Sequence, residues 1–172
     1  MALATKDQAE TSALLKWVQS YVGESEQRPP RGAIIPFQTP YSFAAAEVDN
    51  SDDRVRLLWF PAGFTVWAGS LHFIDAVDAH ATPTLVWDLI TESAAGVADT
   101  RKLISGSTAG RAAGATANLH AGGVGVYVGE RFLVFDPTTA AATAAAGDAV
   151  LSLQITRGVA TNQLPAITLD AV

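Results

Sequence analysis

The chain has 172 residues, 49% of them hydrophobic and only 16% charged, which suits a globular chain of about one domain with a short appendage. Seventeen acidic against eleven basic side chains leave a net charge of −6, the wrong sign for a nucleic-acid binder that works by neutralising phosphates. No cysteine is present, so disulfide scaffolds, thiolate zinc sites, iron–sulfur clusters and cysteine nucleophiles are excluded together.

Met1 to Glu10 mixes Lys6, Asp7, Gln8 and Glu10, so it has no apolar core for a secretory signal. No run of residues is long and apolar enough for a membrane span, and no membrane partner is expected. Residues 5–22 read as an amphipathic helix. Thr5 and Gln8 fit a capping box, Leu14, Trp17, Val18 and Tyr21 form one apolar stripe, and Gly23 is placed to end the helix. The following GESEQRPPRG, with Pro29-Pro30, reads as a stiff linker or arm. This divides the chain into an N-terminal helix and arm, 1–32, and a body, 33–172.

In the body the pattern changes to short β-like runs. The expected strands are Ile34-Ile35, Val55–Phe60, Phe64–Ala68, Leu71–Ile74, Thr84–Trp87, Val124–Val128, Phe132–Phe135, Val150–Thr156 and Ala166–Leu169. The cleanest alternation sets Leu151, Leu153 and Ile155 against Ser152, Gln154 and Thr156. Pro61-Ala62-Gly63 is expected to join two strands tightly, and Gly129-Glu130 to close a hairpin. Ser105–Gly123 reads as a glycine-rich loop, while Thr138–Gly147 fits either a short alanine-rich helix or a loop. Many short strands without helical crossovers predict a mainly β fold, an antiparallel β-sandwich or jelly roll with an N-terminal amphipathic helix and extended arm.

Chemistry is sparse. His72, Asp75, Asp78 and His80 are close in sequence but match no local zinc spacing, and Asp75–Ala81 reads more simply as a polar turn. The acidic run Asp49, Asn50, Ser51, Asp52, Asp53 lacks the glycine and distal glutamate of a calcium loop and reads as a solvated turn. Gly106, Gly110 and Gly114 are not followed by the Lys-Ser/Thr of a phosphate loop, and GGVGVYVG precedes a strand where a dinucleotide site needs a helix. The expectation is therefore no catalytic residue, no metal and no cofactor. Trp59, Trp67 and Trp87 read as core or subunit interface, with Trp59 and Trp67 as the alternative of a sugar-stacking platform.

Leu57–Val66, a strand, a Pro-Ala-Gly turn and a second strand, is followed by Pro83–Asp88, an Ala/Thr-rich stretch ending in Gly147-Asp148, and the runs Val150–Thr156 and Pro165–Leu169. In texture and order this resembles the small β-sandwich virion structural proteins of tailed bacteriophages, some of which are capsid decoration (cement) proteins. The family's Gly-Asp after the third strand is replaced here by Trp87-Asp88. The resemblance implies a decoration protein on the capsid surface, assembled in the host cytoplasm, bound to the major capsid protein and to itself as a homotrimer. Leu14, Trp17, Val18 and Tyr21 would dock in a groove of the shell or a sister subunit, and Phe37 and Tyr41 would add aromatic anchors or a strand along the arm. The alternatives are a tail or tail-fibre component that binds host glycans, and a glycan-active jelly-roll enzyme.

Overall fold

A computed structural model describes residues 4–5, 35–60, 64–119, 125–127 and 131–157. Within them the strands are β1 (Ala4–Thr5), β2 (Ile35–Phe43), β3 (Val55–Phe60), β4 (Phe64–Phe73), β5 (Val86–Glu92), β6 (Ala98–Ser107), β7 (Thr116–Asn118), β8 (Gly125–Tyr127), β9 (Arg131–Thr139) and β10 (Gly147–Arg157). One sheet runs β1-β3-β9-β5-β6 and the other β2-β10-β4-β7, with β8 also on β4. All pairings are antiparallel except the short parallel contact of β1 with β3. Apart from β1 and β8, consecutive strands form the two interleaved four-stranded orders of a jelly roll.

The inner faces meet in an aromatic square. Phe43 lies 5.6 Å from Phe73 within one sheet, and Trp87 lies 4.8 Å from Phe135 within the other. Phe43–Phe135 at 4.9 Å and Phe73–Trp87 at 5.9 Å close the square across the sandwich. Offset rings at such distances add to the large area each one buries. The Trp87 indole N–H, otherwise stranded in this apolar layer, donates to the Ala109 carbonyl at 2.6 Å. Leu151, Leu153 and Ile155 of β10 face the same core, as their alternation predicts.

Irregularities follow from local sequence. Leu57 and Leu58 are both buried because a bulge between Arg56 and Leu58 shifts the register against β9. Gly69 permits the close approach of β4 to β10: a Cβ there would lie 2.5 Å from the Ser152 carbonyl oxygen.

Several expectations are corrected. The expected strands Phe64–Ala68 and Leu71–Ile74 are one strand, β4, and β6 and β7 were not anticipated. Gly129-Glu130 joins no hairpin, because β8 pairs with β4 in one sheet while β9 pairs with β3 and β5 in the other. The strands flanking Pro61-Ala62-Gly63 likewise belong to different sheets. The stretch after β9 is a loop, with no helix among residues 140–146. The expected helix, apart from Thr5, and the expected strand Ala166–Leu169 lie outside the described residues. Thr5 itself is extended beside Arg56, a backbone conformation that a helix-capping residue also adopts.

Candidate assembly surfaces

The sandwich offers two outer faces and the loops at its ends. One loop cluster is tied by Asp78, whose side chain is almost wholly buried. Its Oδ2 accepts the N–H groups of Thr84 at 2.7 Å, Leu85 at 3.0 Å and Ala142 at 3.2 Å, and its Oδ1 accepts that of Thr143 at 3.1 Å. Burial alone raises this carboxyl, but the amides of Leu85, Thr143, Ala142 and Thr84 outweigh it and hold it down at about 2. Asp78 thus stitches the loop after β4, the entry to β5 and the loop after β9. Gly110 closes the same cluster at φ +98°, its carbonyl accepting from the N–H of Val77 at 2.8 Å.

The outer face of the β3-β9-β5-β6 sheet is unexpectedly rich. Cross-strand register puts Trp59, Phe132, Glu92 and Ala98 in one row. Ile90, Phe132 and Val134 form an apolar cluster on this face, with Trp59 and Ala98 against it, separate from the inter-sheet core. The Arg56 guanidinium sits 4.1 Å from the Phe132 ring centroid and pairs with the buried carboxylate of Glu92. Arg54 bridges Glu92 and Asp136, at 3.9 and 3.3 Å, and Lys102 reaches the buried Asp88, whose other oxygen accepts the Gly106 N–H at 2.7 Å. Burial raises the Asp136 carboxyl above its ordinary value, and neighbouring Asp88 adds to this while Arg54 and Lys102 oppose it. Among the described residues two buried polar atoms have no hydrogen-bond partner, Trp59 Nε1 and Glu92 Oε2, and both belong to this row.

The outer face of the β2-β10-β4-β7 sheet is different: its centre is polar and uncharged, with Asp148 toward one end accepting from the Ser42 hydroxyl at 2.6 Å. Its central row is Gln38, Ser152, Ser70 and Asn118, with the Gln38 amide donating to Ser152 Oγ at 3.0 Å. With Pro36, Ala68 and Gln154 these residues line a shallow groove of about 650 Å³. This row supplies amide and hydroxyl groups and permits close approach of a neighbour.

The expected site residues divide sharply. Phe37 and Tyr41 are on β2, but both point into the core, at 3% and 4% exposure, and are not anchors for a partner. The reason is the period of two: β2 is a full strand of the sandwich, with Phe37, Tyr41 and Phe43 inward and Pro36, Gln38 and Ser42 outward. Tyr41 donates its hydroxyl to Glu47 Oε1 at 2.8 Å, and burial together with that carboxylate pushes the phenol well above its ordinary value. Leu14, Trp17, Val18 and Tyr21 lie outside the described residues. Trp59 and Trp67 are on different sheets, and Trp59 packs against the Phe132 cluster, so the pair forms no common sugar platform. His72 bonds Thr116 across the strands at 2.8 Å, and the His80 ring turns back on Thr82. With Asp78 committed to backbone amides, these groups do not converge. In the acidic run, Asn50 Oδ1 accepts the Asp52 N–H at 3.1 Å, the side-chain-capped turn its composition suggests. The Arg56–Glu92 network was missed; its signal was the charged Asp88 and Glu92 bounding the apolar Leu89-Ile90.

No protein-family model matches the sequence, and no curated protein sequence matches it. Two solved structures share the fold. A chain of the capsid of Ralstonia phage GP4 superposes with a TM-score of 0.59 at 18% identity, over 81% of this chain and 95% of that one. A chain of the cyanophage Pam1 capsid asymmetric unit gives 0.59 at 20% identity, over 78% of this chain and 91% of that one. The jelly roll described above is therefore an architecture found, nearly whole, in chains of two phage capsids.

Proposed function

We propose that this protein is a virion structural protein, a capsid decoration protein that sits on the shell surface and packs against sister copies. The observation that carries the reading is the fold match to two phage capsid chains over more than nine-tenths of their lengths. The described residues are consistent with it, since buried charge is spent on internal ties, as at Asp78 and Glu92, and the small-residue face of the β2-β10-β4-β7 sheet suits flat packing against a neighbour. The N-terminal stripe Leu14, Trp17, Val18 and Tyr21 is the proposed handle for the major capsid protein, and a trimer the proposed assembly. Many copies on a lattice would multiply weak contacts by avidity.

The test is the copy number of the chain in purified source particles, by calibrated mass spectrometry. Hundreds of copies per particle are expected for a shell component. A few to a few tens would move it to a vertex or the tail, where the amide and hydroxyl row Gln38, Ser152, Ser70, Asn118 would favour the second reading, a tail component that touches host glycans. Absence from particles would overturn both.

A further inference from the structure

We propose that the outer face of the β3-β9-β5-β6 sheet is a docking surface for the chain's own residues 6–22, seated through Leu14, Trp17, Val18 and Tyr21. This inference concerns the isolated protein, before the same stripe is released to the shell as proposed above, and does not rest on the virion reading.

The argument starts from burial. On a sheet face open to water, side chains are expected to stay partly exposed. Here Ile90, Phe132 and Val134 point away from the inter-sheet core yet are exposed by only 4%, 6% and 0%. Among the described residues no strand or helix packs over them. Arg56 shelters part of Phe132, but an arginine stem cannot cover a row four strands wide. The second observation is polar. Among the described residues Trp59 Nε1 and Glu92 Oε2, a donor and an acceptor flanking Phe132, are buried without a hydrogen-bond partner, Glu92 Oε2 having only the Arg54 guanidinium at 3.9 Å. Buried polar atoms are ordinarily paired, so this row is built to meet further groups of its own kind.

Chain geometry selects the occupant. Thr5 pairs with Arg56, which fixes the start of the segment at the edge of this same sheet. The chain is fixed again at Ile35, on the edge strand of the other sheet. A helix over 6–22 would be about 25 Å long. Five strands set about 4.8 Å apart give a face about 20 Å across. One side of that helix is the apolar stripe, and its opposite side carries Lys16, Gln19 and Ser20 for solvent. Length, tether and pattern all fit this face.

The cysteine-free sequence makes the test clean. Ala98→Cys marks the row, Ser152→Cys marks the outer face of the other sheet, and Leu14→Cys, Trp17→Cys, Val18→Cys and Tyr21→Cys are each combined with one or the other in the full chain. A short bis-maleimide is added to the isolated protein, and linked monomer is separated from linked dimer. At least one stripe position is expected to link within the chain to position 98 about tenfold more than to position 152, because docking raises the local concentration of the pair. Adding Leu14→Asp to a linking pair formed at another stripe position should abolish the excess, while unchanged circular dichroism shows that the sandwich is intact. Equal linkage to both faces overturns the proposal. Linkage only between chains also overturns it, assigning the face to a second copy. Failure of every stripe position to link above its level in urea overturns it as well. None of these outcomes changes the copy number in particles, so this proposal and the virion reading fail separately.

Discussion

Asp78→Asn is the sharpest test of how the loop end of the sandwich is held. The substitution keeps the shape of the side chain but removes its charge and turns an NH2 group toward N–H donors. Four amides from two other segments, together with the more distant His80 N–H of its own loop, are now satisfied by the carboxylate, and that of Leu85 is in the buried interior. Hydrogen bonds to a charged group are each worth about 1.5–3 kcal/mol, and water compensates at the exposed amides, so a loss of about 3 kcal/mol is expected. In a domain of this size that corresponds to a fall in Tm of about 10 °C. The pH dependence is an independent check. The folded carboxyl is held at about 2 against an ordinary 3.8, a depressed value whose stabilisation is complete above the unfolded value and lost as pH falls through the folded one. The difference is worth about 2 kcal/mol, of which about half should be gone by pH 3. Urea unfolding of both proteins at pH 7 and pH 3 should therefore show a gap that narrows by about 1 kcal/mol. A gap below about 1 kcal/mol at pH 7, or one unchanged at pH 3, would refute the clamp.

Other expectations address the core, a strand contact and the outer face. Phe135→Ala removes one corner of the aromatic square and should cost about 3–5 kcal/mol in urea unfolding. Gly69→Ala forces β4 from β10 and should cost about 1–3 kcal/mol, whereas a change within a few tenths would mean that the strands part freely. Glu92→Gln should destabilise by about 3 kcal/mol by leaving the Arg56 charge poorly paired, while Arg56→Met with Glu92→Leu should recover most of that loss in a double-mutant cycle. Tyr41→Phe should cost about 1 kcal/mol through its bond to Glu47, and should leave assembly untouched because the ring faces inward.

The legible parts of the fold were those where burial is one-sided or apolar throughout. β3, β9 and β10 announce themselves through Val55–Phe60, Phe132–Phe135 and the alternation at Leu151, Leu153 and Ile155. β6 was hidden because Asp99, Thr100, Arg101 and Lys102 near its start carry no apolar alternation; Asp99 and Lys102 have ionic partners on other strands of the sheet that no local window can supply. Asp78 was read as part of a turn because its partners are backbone amides at positions 84, 85, 142 and 143, which carry no side-chain signature. Phe37 and Tyr41 were assigned to an arm because the prolines around them mask the strand period. Those prolines are tolerated because β2 is an edge strand.

The interleaved strand order has a consequence for synthesis on the ribosome. The middle of one sheet is β9, which joins β3 to β5, and the middle of the other is β10, which joins β2 to β4. These are the last two described strands to be translated, so until they emerge the nascent chain holds two half-sheets with open edges. Folding must wait for residue 157 to leave the exit tunnel and then proceed through long-range pairings, which are slow to form. A chain that stops before Gly147 lacks the central strand of at least one sheet and leaves the edges of its neighbours open.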